Sequence, residues 1–146
     1  REITVQDLLT HVSGLGSGRA SGLEMPRIAR KEPEPLSAYI PRLGTTPLDF
    51  QPGSRWTYSP AAAFDTLGRL VEVASGLTFD RFLRERLFAP LGMKDTFFSP
   101  TDAHWPRVAT AYHREAGALT RAANPNRLVS PTYFSGGGGL LSTAED

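Results

Sequence analysis

Pro47-Leu48-Asp49-Phe50-Gln51-Pro52-Gly53-Ser54-Arg55-Trp56-Thr57-Tyr58-Ser59 is the stretch from which the rest of the chain is best read. A proline-glycine turn leads into two aromatics, Trp56 and Tyr58, and then into a helix start. Ser59 is a good N-cap, because its side-chain oxygen can accept a backbone N–H of the first turn. Pro60 fits that turn, where the N–H it lacks would have no partner. The spacing predicts a helix from Pro60 to Ser75, with Phe64, Leu67, Val71 and Ala74 as its apolar stripe and Gly76 as its stop. Thr78 then caps a second helix through about Phe88, with Phe79, Phe82, Leu83 and Leu87 buried and Arg81, Arg84, Glu85 and Arg86 exposed, before Pro90 ends it. Two consecutive helices joined by Gly76-Leu77-Thr78 should pack together.

Upstream, Ile3 to His11 reads as a short helix: Thr4 and Asp7 form a capping-box-like pair, Val5, Leu8, Leu9 and Val12 recur at helical spacing, and Ser13-Gly14 ends it. From Leu15 to Arg55 glycine and proline are frequent and most of the stretch reads as loop, with one short helix around Leu36 to Leu43 that Pro41 should kink or delay. Downstream, Arg107 to His113 alternates enough for a strand, with Ala118 to Thr120 as its partner across Glu115-Ala116-Gly117. Ser142 and Glu145 form a capping box that should open a helix, yet the sequence stops one residue later. Together with a start at Arg1 rather than methionine, this reads as an internal piece of a longer protein.

The 146 residues suit one core, and 40% apolar with 21% charged residues is ordinary for a globular domain. No apolar run reaches the ~18 residues of a membrane span. A net charge of +1 offers no basic stripe for a row of phosphates, so nucleic acid is not an expected partner. The basic run Arg27 to Lys31 is followed by Glu32 and Glu34 and reads as a solvated loop. Without cysteine there is neither a disulfide framework nor a thiolate metal site, and the compartment stays open.

No catalytic constellation is complete. No serine has glycine at both second flanking positions, and His11, His104 and His113 lack the four-residue spacing of a helical metal pair. Gly14-Leu15-Gly16 is followed by Arg19 where a dinucleotide fingerprint needs glycine, and no lysine follows Gly136 to Gly139. Ser13 reads as exposed by a turn, but no base is placed near it by spacing.

The stretch around Tyr58 resembles the β-lactamase and penicillin-binding-protein family, particularly the class C enzymes and the esterases similar to them. Ile3-Thr4-Val5-Gln6-Asp7-Leu8-Leu9-Thr10-His11-Val12-Ser13-Gly14-Leu15 resembles the segment after the nucleophile region in those proteins. Leu67-Gly68 through Val71-Glu72, Ser75-Gly76, Pro90-Leu91-Gly92-Met93 and Asp95-Thr96 are similar to the helices after the tyrosine motif, and Gly136 to Ala144 to a later loop and helix start. These matches fall in order across nearly the whole chain. The resemblance implies the helical subdomain of the β-lactamase-like α/β fold: mainly α with a few short strands, one partial domain over residues 1–146.

It also implies an acyl-serine mechanism without metal or organic cofactor. A serine and a lysine three positions apart meet a tyrosine, which the resemblance places at Tyr58. A phenol with a reference pKa near 10 is only about 0.1% ionised at pH 7, so nearby cations must stabilise the phenolate by roughly 4 kcal/mol. Lys31 and Lys94 have Ile28 and Leu91 three residues before them, so neither is that lysine, and the lysine- or histidine-glycine motif of the third strand is absent. Ser59 is both a cap and a candidate substrate neighbour; Tyr133 and Phe134 are candidate walls of the acyl pocket or packing residues; Trp56 reads as structural. Pro60 stands where the β-lactamases typically carry an asparagine that bonds an acylamino group, which favours a small-molecule ester over a β-lactam as substrate of the full-length parent. A β-lactamase or D-alanyl-D-alanine carboxypeptidase, and a non-catalytic scaffold that only binds, remain the alternatives. The isolated chain is expected to be inactive and to self-associate through apolar surface.

Overall fold

Helix α4 (Ala62–Ser75) is the element on which the others rest in the computed structural model, which describes residues 1–16, 18–24, 26–31, 33–59, 61–122 and 132–146. Helices α1 (Val5–Leu9) and α3 (Leu36–Leu43) both pack on α4. The buried face of α4 is made of small residues and one acid, Ala62, Ala63, Asp65 and Gly68. Phe64, Leu67 and Val71 are only half-buried and Ala74 is exposed, so the expected stripe lies to one side of the real one. Close approach explains the shift, since a Cβ at Gly68 would sit 3.3 Å from Leu36 Cδ1 and 3.5 Å from Phe79 Cδ1. Leu8, Leu15, Ile28 and Leu43 complete the core with Ala62 and Ala63, flanked by Ile3, Ile40, Phe64 and Leu67. Ile28 thus leaves the basic run, read as wholly solvated, to enter the core.

Helix α1 carries the capping box read from the sequence: Asp7 N–H donates to Thr4 Oγ1 (3.2 Å) and Thr4 N–H to Asp7 Oδ2 (2.9 Å). Arg1 adds a two-pronged ion pair to the same carboxylate at 2.7 and 2.8 Å, and with Thr4 it holds Asp7 well below the usual carboxylate range. After the helix the backbone turns left-handed at His11 (φ 58°), and the segment from 49 to 57 runs alongside it. Asp49 N–H donates to Gly14 O, Gly53 N–H to Val12 O, and Thr57 N–H to His11 O, at 2.8–3.0 Å. Gly14 (φ 74°) must lack a side chain, because a Cβ would collide with the Phe50 carbonyl oxygen.

Helix α2 (Arg19–Glu24) falls where the sequence reads as loop. Its cap comes from far along the chain: Asp49 accepts the N–H groups of Ala20 (2.8 Å) and Ser21 (3.1 Å) and the Ser21 hydroxyl (2.6 Å). Helix α3 starts at Leu36 and keeps Pro41 inside, neither delayed nor ended by it, because proline in the last turn removes a single donor. Helix α4 begins at Ala62, and the expected start at Pro60 lies outside the described residues. It ends as read, at Gly76 (φ 71°).

Helix α5 (Phe79–Leu83) follows the expected turn, but its first amide is held by Glu72 of α4, which accepts Phe79 N–H at 3.1 Å, and not by the Thr78 side chain. A π-helical turn, Arg84–Phe88, then widens the helix and passes into α6 (Ala89–Leu91). The extra residue in that turn changes the phase, so Leu87, expected to be buried, is exposed, and Phe88 is buried. Pro90 lies within α6; Gly92 (φ 73°) makes the stop, with Met93 N–H donating to Phe88 O at 2.8 Å.

Strands β1 (Tyr112–Glu115) and β2 (Ala118–Arg121) pair antiparallel, His113 opposite Thr120, across Ala116 and Gly117, both at positive φ. The turn is the one read from the sequence, but Trp105–Arg107 is a 3₁₀ turn, so the first strand starts later than Arg107. An isolated bridge joins Phe97 to Leu141. The expected Ser142–Glu145 box is not formed: Ser142 Oγ bonds Thr96 Oγ1 (2.8 Å), and it is Thr143 Oγ1 that accepts Asp146 N–H (3.2 Å). The architecture is helix-rich with one hairpin among the described residues, and no described helix is long and apolar enough to cross a membrane.

Candidate functional site

Tyr58 sits on the loop that enters α4, and the sequence on either side of it determines how it is presented. Ser59 is 1% exposed; its hydroxyl donates to Leu15 O (2.8 Å) and accepts Ala63 N–H (3.2 Å). It therefore performs the helix-capping role from one turn out, and both of its bonds stay inside the protein. Tyr58, one residue earlier, is 56% exposed, and no hydrogen bond reaches its hydroxyl among the described residues. A buried anchor beside an exposed phenol is what extended backbone produces, since successive side chains then point to opposite sides.

His11 lies against this turn. Its Nδ1 accepts Ser59 N–H (3.3 Å), its carbonyl oxygen accepts Thr57 N–H (3.0 Å), and its ring packs on Tyr58 with centroids 4.7 Å apart. Phe64 of α4 and Trp56 flank the imidazole at 5.3 and 6.2 Å. In the sequence His11 stands out as a histidine without a metal partner and as part of the stretch that resembles the segment after the nucleophile region; its contacts with Trp56, Tyr58 and Phe64 are visible only in the fold. Ser13, read as exposed, is 1% exposed, and its Oγ accepts Leu15 N–H at 3.2 Å, so it closes the turn.

Tyr133 and Phe134 stand elsewhere. Tyr133 donates its hydroxyl to Asp65 Oδ2 of α4 (2.5 Å), and Ser135 donates to Asp65 Oδ1 (2.5 Å). Asp65 is 2% exposed and also accepts Gly137 N–H at 3.3 Å. Burial, followed by the bond to this carboxylate and its negative charge, pushes the Tyr133 phenol far above its ordinary value. The Arg30 guanidinium covers the ring at 4.4 Å. Gly136 passes so close to α4 that a Cβ would collide with Phe64 O, which is why the glycine run can wrap this helix. Phe134 packs on Phe98 (5.5 Å) and lines a cavity of about 330 Å³ with Asp80 and Phe88. Asp65 also escaped the sequence reading, although an acid three residues from both Ala62 and Gly68 on the small-residue face of a helix marks a buried carboxylate with partners to find.

The β-lactamase family model matches residues 1–146. The chain belongs to the β-lactamase family. It is 34% identical to esterase EstB of Burkholderia gladioli over 170 residues, covering 99% of the chain and 42% of EstB. Among solved structures it resembles EstCE1, described as a hydrolase with promiscuous acyltransferase activity, with a TM-score of 0.82 and 27% identity over 98% of the chain and 43% of EstCE1. It also resembles a penicillin-binding protein from Bacillus halodurans, with a TM-score of 0.68 and 27% identity over 98% of the chain and 43% of that protein. The chain thus spans about two fifths of the length of these proteins.

Proposed function

We propose that this chain is the tyrosine-bearing part of an acyl-serine esterase, with Tyr58 as its general base. The observation that carries the reading is the contrast at one turn: Ser59 is pinned in the interior while the neighbouring phenol is held outward. Tyr58 would take the proton of a nucleophilic serine as its oxygen attacks the ester carbonyl, then return that proton to the departing alkoxide. Water would release the acyl group by the same path in reverse. The serine and the cations that support the phenolate belong to the rest of the hydrolase. Ser59 contributes position rather than contact, since its side chain is buried. Tyr133 and Phe134 serve as pocket walls through their rings, the Tyr133 hydroxyl being committed to Asp65.

Pro60 supports ester over β-lactam as the substrate class. Proline offers no side-chain amide to bond an acylamino group, and a site without that bond gains nothing from one. The test is kcat/KM of the complete hydrolase for p-nitrophenyl butyrate and for a chromogenic cephalosporin. The ester is expected to be the better substrate; a cephalosporin preferred tenfold or more overturns the assignment. The isolated 146-residue chain should not hydrolyse either, because its sequence holds no serine three residues before a lysine. Ester turnover by the isolated chain that a serine-directed phosphonate abolishes would overturn this. With Val5, Leu9, Leu70 and Val73 exposed, the isolated chain should also form dimers or larger species, and a clean monomer by light scattering at high micromolar concentration would count against it.

A further inference from the structure

We infer that His11 is the positioning residue for Tyr58, fixing the direction of its phenol; the inference rests on Tyr58 being the base. His11 touches three consecutive residues in three different ways. Its carbonyl oxygen holds Thr57 N–H (3.0 Å), its ring lies on the Tyr58 ring (4.7 Å), and its Nδ1 holds Ser59 N–H (3.3 Å). The backbone is thereby gripped on both sides of Tyr58, and the exposed ring is backed by one imidazole. That imidazole is itself wedged by Phe64 at 5.3 Å and Trp56 at 6.2 Å, which ties its orientation to α4.

Two features show that the surroundings impose this arrangement. His11 is left-handed (φ 58°), a conformation that a residue with a Cβ keeps only where its neighbours over-determine it. Its Nδ1 acts as acceptor, so the neutral ring carries its proton on Nε2 and the ring face is fixed. Tyr58 has no comparable anchor of its own, since more than half of it is exposed. A base displaced by about 1 Å from its proton loses about 10²-fold in rate, so the imidazole that backs the phenol governs acylation without touching substrate. His11 acts through Tyr58 alone.

The complete hydrolase carrying His11→Asn, His11→Phe, Tyr58→Phe and the double change His11→Asn with Tyr58→Phe tests this. Asparagine keeps an acceptor near the place of Nδ1 and tolerates the left-handed backbone but removes the ring; phenylalanine keeps a ring and removes the acceptor. The single-turnover acylation rate with p-nitrophenyl butyrate, which counts only competent sites, should fall about 10- to 100-fold in each His11 variant, with ester affinity changed less than about threefold. The double variant should be no slower than Tyr58→Phe alone, because a positioning residue has nothing to position once the base is gone. Single His11 variants within threefold of wild type, or additive losses in the double variant, overturn the role of His11 and leave the base reading standing. A loss below threefold in Tyr58→Phe itself overturns the base reading and this inference with it.

Discussion

Tyr58 and Tyr133 are both held beside α4, and they are held by opposite ends. Tyr133 is gripped at its oxygen, which donates to the buried Asp65 carboxylate at 2.5 Å. Tyr58 is held by His11 at its ring and through the amides on either side of it, while no hydrogen bond from the described residues reaches its oxygen. A phenol that must exchange a proton with substrate cannot spend its hydroxyl on a carboxylate that raises its pKa; a phenol that ties a loop to a helix has to. Of the two tyrosines, only Tyr58 has a hydroxyl that the described residues leave unclaimed, as the proposed base requires.

That contrast can be broken from the structural side. Asp65→Ala removes the acceptor of Tyr133, Ser135 and Gly137 at once, and the expected cost in denaturant unfolding is about 2–4 kcal/mol, the usual size for breaking a buried network. Tyr133→Phe leaves one carboxylate oxygen without its phenol and should cost about 1–3 kcal/mol. If either change left stability untouched, the Asp65 cluster would not be what holds the glycine run to α4. The smallest effect is expected at Glu34, where bonds from Arg42 and from Lys31 N–H hold the carboxyl at about 2 instead of 4.5. A depressed carboxyl stabilises the fold above its unfolded value and stops doing so as it is protonated, so this contribution is full above about pH 4.5 and disappears as the pH falls towards 2. Melting temperatures of wild type and Glu34→Gln should therefore converge across that window, and parallel curves would show that the ion pair contributes nothing.

The same contrast explains what the sequence could and could not reveal. Helix α4, its glycine stop and the capping box of α1 rest on contacts within four residues, and they read correctly. Helix α2 was missed because its cap, Asp49, lies 28 residues from Ser21. The π-helical turn is not legible in the sequence, because one inserted residue turns Leu87 outward without altering composition. Tyr58 is singled out by the ordered family resemblance and not by its own chemistry, and its contact with His11 is invisible in the sequence because it spans 47 positions and runs partly through a backbone amide. For Tyr133 the sequence leaves pocket wall and packing residue both open, because nothing in the local sequence announces Asp65 as the acceptor of its hydroxyl.

The most direct measurement compares the two phenols in one assay: the single-turnover acylation rate of the complete hydrolase with p-nitrophenyl butyrate, for wild type, Tyr58→Phe and Tyr133→Phe. If Tyr58 is the base, its loss lowers the rate by about 10²- to 10⁴-fold, the usual size for a positioned general base, while Tyr133→Phe stays within threefold in the folded protein. Equal losses in the two variants, or a Tyr58→Phe enzyme within threefold of wild type, contradict it.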